Sequence, residues 1–256
     1  MPVHTTTEGR VAVLTLDYPE HHNALSTQLV RDMLAALRAL DPRAVRAIVI
    51  AAKGRFFSAG ANIPDLYEGG WMSGHANPED PVALFETLAT HRLLVVAAVT
   101  GPALGGGFEL SLSCDLAVAA DNAWFAAPEV GLGVIPNTAL ARLTAIVGRR
   151  RALEIMMTRR RVQPAEALAL GLVNEIVAPA EVVPAAVALA QRITAEVPPG
   201  ALAAIKEGVD RHLPTDWREV RASVGRLPEP EWREGLGAFV EKRAPEYERF
   251  WIEQGT

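Results

Sequence analysis

Two glutamates set in apolar company are the residues of this chain best placed to do chemistry. One closes the run Gly105-Gly106-Gly107-Phe108-Glu109 and the other stands in Pro128-Glu129-Val130. Glycine amides beside two isolated carboxylates read as acid–base chemistry on an activated carbonyl. Glu109 lies in a segment, Phe108 to Leu112, that is otherwise built for burial, where an ionisable group needs a partner or a purpose. It is a candidate acid or base, or else a capping-box glutamate that satisfies the free N–H groups of its own helix. A helix N-terminus favours the ionised form and suits a base, whereas burial raises the pKa and suits an acid; the sequence leaves that sign open. Glu129 is the only charge between Asp121 and Arg142 and lies among small residues and glycines that let a loop approach a ligand. Alone it reads equally as a solvated loop charge. The pair is the stronger candidate, and only tertiary folding can bring its members together.

Gly105, Gly106 and Gly107 follow an apolar strand and open a helix, so their N–H groups are expected to be unpaired and available to an anion or a developing oxyanion. Tight strand–helix packing is the alternative use of the same glycines. A phosphate loop would need Gly-Lys-Ser/Thr, and Gly131-Leu132-Gly133 lacks the third glycine of a dinucleotide fingerprint. Phe57 to Asn62 supplies a second small-residue turn. The histidines, His4, His21, His22, His75, His91 and His212, show no metal-ligand spacing and none adjoins a serine in a nucleophile elbow. No metal is expected.

The elements that must position these groups are legible as alternation. Val11 to Leu16 and Val45 to Ala52 read as strands, and Leu25, Leu29, Met33, Leu37 and Leu40 recur between them at helical spacing. Leu93 to Val99 and Leu116 to Ala120 read as buried strands around a helix at Gly106 to Ser113, with a short strand at Asn174 to Val177. This is an α/β architecture. Tyr67 to Pro81 is rich in Gly, Pro and Asn and reads as a mobile surface loop; together with a helix at Leu84 to His91 it would shape the pocket. Beyond Val177 the reading is helical, at Pro179 to Glu196, Gly200 to His212, Pro230 to Arg243 and Pro245 to Gln254. The expected division is a core over 1–197 with the active site and a helical region over 198–256.

The chain has 256 residues, half of them hydrophobic, enough for a large core. A net charge of −5 argues against a nucleic-acid partner, and the clusters Arg149 to Arg151 and Arg159 to Arg161 read as solvated helix ends. One cysteine, Cys114, excludes an internal disulfide. The polar N-terminus and the shortness of the longest apolar run, Leu93 to Val99, argue against a membrane span and for a cytoplasmic location.

From Val11 to Arg243 the chain resembles the enoyl-CoA hydratase/isomerase, or crotonase, superfamily. The likeness rests on Asn23-Ala24-Leu25, the turn Phe57 to Ile63, Gly101 to Asp115 with its trailing Cys-Asp, Gly171-Leu172-Val173, and Phe239 to Arg243. The resemblance implies a crotonase-like spiral of strand-strand-helix turns with a helical C-terminal trimerisation region, assembled as a homotrimer or a dimer of trimers. It also implies an acyl-CoA thioester substrate, coenzyme A being part of that substrate and no other cofactor being needed. The N–H groups of Ala61 and Gly106 would form an oxyanion hole for the thioester carbonyl. Glu109 is implied as main base and Glu129 as main acid in hydration of a 2-enoyl-CoA to a 3-hydroxyacyl-CoA. Ala59, Ala61 and Ile63 resemble adenine-contacting positions. Phe239 is counted with the substrate contacts, and the N–H of Asn137 stands where the family positions the water. His21 and Pro64 replace frequent lysines, so Arg55, and Lys242 from a neighbouring subunit, are expected to meet the nucleotide. Asn62 stands where Asp is common. The rival readings are an isomerase or decarboxylase on the same scaffold, a noncatalytic acyl-CoA binder, and, for want of any triad context around Ser58, Ser111 and Ser113, more remotely a serine hydrolase.

Overall fold

A computed structural model describes residues 2–68, 71–73 and 77–253, the last two by their backbone. His75, the middle of the Tyr67–Pro81 stretch and Gln254 lie outside the described residues. The chain begins with strands β1 (Val3–Glu8) and β2 (Val11–Leu16), helix α1 (Thr27–Ala39), strand β3 (Ala47–Ala52) and helices α2 (Ile63–Glu68) and α3 (Pro81–Ala89). It continues through β4 (Leu94–Val99), β5 (Ala103–Leu104), α4 (Gly106–Leu112), β6 (Leu116–Ala120) and β7 (Phe125–Ala126). Then follow α5 (Asn137–Val147), α6 (Arg149–Thr158), α7 (Pro164–Ala169) and β8 (Glu175–Val177). The remainder is α8 (Val182–Glu196), α9 (Pro199–His212), α10 (Trp217–Val224), α11 (Glu229–Val240) and α12 (Glu248–Glu253).

Six strands form one sheet in the order β1-β2-β3-β4-β6-β8, parallel except for the antiparallel edge pair β1 and β2. Every residue of β3 and β4 is buried, as continuous apolar runs predict for strands covered on both faces. A second layer is built of very short pairings: Leu25 with Ala61, Ser58 with Ala103, β5 with β7, and Phe125 with Val162. Each circuit of the chain thus makes a long strand in the sheet, a short one in the second layer, and a helix. That is the expected spiral.

Several elements escape the sequence reading: the helices α2, α5, α7 and α10, the two-residue strands β5 and β7, and the edge strand β1. β1 is exposed along all but Val3, so its threonines carry β-propensity without the alternation that marks a half-buried strand. α10 is short, and Asp216 caps it through the amides of Arg218 and Glu219. The Tyr67–Pro81 stretch also departs from a simple surface loop, because Trp71 and Met72 are both buried, Met72 in a small cluster with Val134, Val224, Trp232 and Leu236. The two arginine clusters do sit at the ends of α6. No helix among the described residues is long and apolar enough to cross a membrane.

The Asn23-Ala24-Leu25 motif is structural. Asn23 is fully buried in the left-handed region, at φ 53°; its Oδ1 accepts from Tyr18 N at 2.8 Å and its Nδ2 donates to the carbonyls of Lys53 and Phe56, both at 2.8 Å. Three backbone segments are tied by one amide. Asn23→Ala is expected to destabilise the protein by about 3 kcal/mol, since it takes the partner from three part-buried backbone groups; equilibrium urea unfolding measures it. The Cys-Asp motif is likewise structural: Asp115 accepts from Val95 N at 2.8 Å and pairs with Lys206 at 2.7 Å, which joins α9 to the start of β4.

Candidate active site

The turn after β3 and the turn after β5 meet at the C-terminal end of the sheet, and their hydrogen bonds leave two amides over. In the first turn Ala59 N donates to His22 O at 2.9 Å, Gly60 N to Ser58 Oγ at 3.2 Å, and Asn62 N to Leu25 O at 3.0 Å. Ala61 N–H has no partner among the described residues. In the second, Leu104 N donates to Ser58 O and Gly105 N to Ala126 O, so Gly105 does not offer a free amide as expected, whereas Gly106 N–H has no partner among the described residues. The two unpaired groups are neighbours: a Cβ built on Gly106 would lie 3.3 Å from Ala61 N. Two converging donors at the start of a helix can hold negative charge on one oxygen.

Asn62, the departure from Asp, has a local use. Its Oδ1 accepts from Asp65 N at 3.1 Å and caps α2, and the Asp65 carboxylate accepts from Thr27 N at 2.7 Å, capping α1. Both interactions fix the turn that carries Ala61.

Glu109 lies in the first turn of α4 and is 5% exposed. It does not tidy its own helix. Its Oε1 instead accepts from Thr138 N at 2.7 Å and Ala139 N at 3.0 Å, the first-turn amides of α5, which Pro136 cannot cap with a side chain. Those bonds favour the carboxylate, but burial outweighs them and the pKa is pushed up to about 7. Asn137 is the first residue of α5 and not its N-cap; its Oδ1 meets Thr138 N at 2.9 Å, and its own N–H has no partner among the described residues.

Glu129 opens the short 3-10 turn Glu129–Leu132. The residue as a whole is half-buried, yet both carboxylate oxygens are shut off from solvent and neither has a hydrogen-bond partner among the described residues. Burial first, and the charge of Glu109 second, raise its pKa well above 4.5. The acid rests against Gly105, whose φ is +52° and where a Cβ would come within 2.8 Å of Glu129 Oε1, so glycine is required there by both conformation and space.

The raised pKa of Glu129 bears on stability. A carboxyl whose pKa is higher folded than unfolded weakens folding as pH rises above its ordinary value of 4.5, and has no effect below it. Glu129→Gln is therefore expected to raise the melting temperature at pH 8 and to leave it unchanged at pH 4. Calorimetry at the two pH values checks this.

One cavity is lined by Ala59, Ala61, Ile63, Gly106, Glu109, Glu129 and Asn137, so seven of the ten residues singled out from sequence come together. Phe239 lines an adjoining channel with Ala59, Ala61 and Ile63. Arg55 borders neither space; its guanidinium lies 5.7 Å from the centre of the Phe56 ring. Lys242 sits just past the end of α11, exposed and away from the cavity of its own chain. The far wall comes from the two segments expected to shape the pocket, Trp71, Met72 and the α3 N-cap Asp80 from the Tyr67–Pro81 stretch and Phe85 from the helix after it, although the sequence does not single out these residues; Val224 in the wall and Arg159 at the channel lie outside both segments. Asp80-Pro81 does carry a signal, a capping residue before a first-turn proline. Arg159 carries none, being recruited by a left-handed helix end that places its side chain against Gly131.

Fold and site together define an α/β spiral with two buried acids facing a pair of free amides. The comparisons place it further: residues 6–250 match the enoyl-CoA hydratase/isomerase family, and the chain belongs to that family. A probable enoyl-CoA hydratase of Rhizobium meliloti is 41% identical over 172 residues, and a short-chain-enoyl-CoA hydratase of Clostridium acetobutylicum is 36% identical over 172. Each alignment spans 66% of both chains. Among solved structures, an enoyl-CoA hydratase subunit of Geobacillus kaustophilus is 36% identical with a TM-score of 0.75, covering 97% of this chain and 98% of that one. A methylmalonyl-CoA decarboxylase is 28% identical with a TM-score of 0.83, covering 96% and 98%.

Proposed function

We propose that this protein hydrates a 2-enoyl-CoA thioester to a 3-hydroxyacyl-CoA. The observation that carries the reading is the pair of buried carboxylates, one with two amide donors and one with none, facing a cavity that also holds two free N–H groups. The amides of Ala61 and Gly106 receive the thioester oxygen and stabilise the enolate that forms when water adds at Cβ. The difference between the glutamates supports one division of roles. Two neighbouring buried acids do not both ionise readily, and the charge settles on Glu109, which α5 stabilises, while Glu129 keeps its proton. Glu109 then takes the proton of the attacking water, and Glu129 delivers one to Cα. The N–H of Asn137, beside Glu109, is placed to donate a hydrogen bond to the oxygen of that water.

The coenzyme portion runs along the channel of Ala59, Ile63 and Phe239, with Arg159 joining Arg55 and a neighbouring subunit's Lys242 as cations for its phosphates. Assembly as a trimer or a dimer of trimers is supported by Ile205, Val209 and Leu213, large apolar side chains exposed at helical spacing along and just past α9. The compartment is proposed to be the cytoplasm.

Decarboxylation is the second reading, favoured by the likeness to methylmalonyl-CoA decarboxylase. A panel of enoyl-CoA thioesters incubated in deuterated water separates the two. Hydration gives a product heavier by water with one carbon-bound deuterium at Cα; release of carbon dioxide from a malonyl-type thioester, with no water added to any enoyl thioester, overturns the proposal.

A further inference from the structure

The opposite end of the sheet carries a second concave site. β2, β3 and β4 lie side by side in register, Val11 opposite Ala47 and Ala47 opposite Leu94. Each is entered from an arginine: Arg10 directly precedes β2, Arg46 directly precedes β3, and Arg92 stands two residues before β4. Arg46 N donates to Arg10 O at 2.8 Å, which confirms that the first two are neighbours. At an inter-strand spacing of about 4.8 Å the three starts span roughly 10 Å. Arg43, in the turn before β3, joins them around one cavity of about 400 Å³.

Each of these four residues is exposed, and no guanidinium among them has a carboxylate within 4.0 Å among the described residues. Elsewhere the chain pairs its arginines freely, as Arg31 with Glu79, Arg160 with Glu154 and Glu166, and Arg243 with Glu234. Glu196 is the one acid among the described residues that lines this cavity. Four cations against one anion, in a protein of net charge −5, repel one another unless an anion neutralises them. The floor is apolar, formed by Val45, Leu93, Val197 and Leu202.

We propose that this cavity binds a nucleoside diphosphate, its phosphates on Arg10, Arg46 and Arg92 and its base on the apolar floor. The row of guanidiniums matches two adjacent phosphates, since each can take phosphate oxygens through paired N–H groups. Concavity and an apolar floor select a small molecule over a duplex or a bilayer, which would need a broad basic face. The site is separate from the acid pair, sharing no lining residue with that cavity and lying a full strand length away, about 20 Å. It stands whether or not the protein is a hydratase.

Isothermal titration calorimetry at low salt with ADP and, separately, inorganic pyrophosphate tests it on the whole chain and on an Arg10→Ala, Arg46→Ala double variant. Circular dichroism establishes that the variant is folded, which exposed positions outside the strands favour. The expected result is saturable binding of ADP to the unaltered protein, weakened at least about tenfold in the double variant and falling with added salt. Pyrophosphate binding with the same loss shows that the phosphates are what the arginines read; ADP binding with the loss and no pyrophosphate binding shows that the base on the apolar floor is needed as well. ADP binding of equal affinity in both proteins would place the nucleotide elsewhere, in the thioester channel, and overturn the proposal. So would the absence of binding by both probes.

Discussion

Glu109→Gln is expected to lower turnover of a 2-enoyl-CoA by between about a hundredfold and ten thousandfold, the range typical of a lost general base, with little change in thioester affinity. The amide keeps the shape of the side chain and an oxygen for the amides of Thr138 and Ala139, so α5 stays capped. What it cannot do is accept a proton from water. The pH dependence separates this loss from a structural one. In the unaltered protein kcat/KM should rise as pH passes about 7, where Glu109 gives up its proton, and should fall at higher pH as Glu129 gives up its own. Glu129→Gln should show a comparable loss, and the double variant should be little worse than either single one, because the two acids act as a unit in one addition, Glu109 on the water and Glu129 on Cα. Stopped-flow loss of enoyl absorbance, followed across pH, measures all three. A profile with no inflection near pH 7 in the unaltered protein would place the base elsewhere.

Much of this arrangement was legible in the sequence, and the gaps have physical causes. The buried strands β3 and β4 announce themselves as unbroken apolar runs, and α1 by the spacing of its leucines, because burial on both faces or on one stripe leaves a one-dimensional trace. β1 leaves none, since an exposed edge strand needs only β-branched residues and a partner, and its partner is supplied by tertiary structure. The short pairings of the second layer are similarly silent, although they are what holds the site's turns in register.

For the site, residue types were readable and partners were not. A lone glutamate in apolar surroundings is visible in sequence; that Glu109 caps a helix 29 residues further on, while Glu129 is left with no partner, is a product of folding. The glycine triplet reads as three free amides in sequence, and the structure distributes them otherwise, giving Gly105 N–H to Ala126 O and leaving Gly106 available. Trp71 and Met72 were hidden by their setting among Gly, Pro and Asn, which signals a loop whether or not single side chains turn inward.

Gly106→Ala is expected to reduce kcat by about a hundredfold to a thousandfold, comparable to the loss of one oxyanion donor, while the protein remains folded. Gly106 starts α4 with no left-handed requirement, so the added methyl group is not opposed by the backbone but by its neighbours: Leu25 Cδ1 at 3.2 Å and Ala61 N at 3.3 Å. The leucine side chain can yield by a few tenths of an ångström. The Ala61 amide cannot do so without moving, because Leu25 brackets it through Gly60 O at 2.8 Å and Asn62 N at 3.0 Å. The methyl group therefore intrudes on the space between the two donors, where the thioester oxygen must sit. Gly107 offers the contrast, since a Cβ there would meet Ser58 O at 2.3 Å and disrupt packing before it affected chemistry. Steady-state kinetics with a thermal melt on each variant tells them apart: Gly106→Ala should lose rate with its melting temperature nearly intact, and Gly107→Ala should lose stability first. Full activity in Gly106→Ala would mean that the carbonyl does not bind between these amides, and the two acids would then need another reaction to serve.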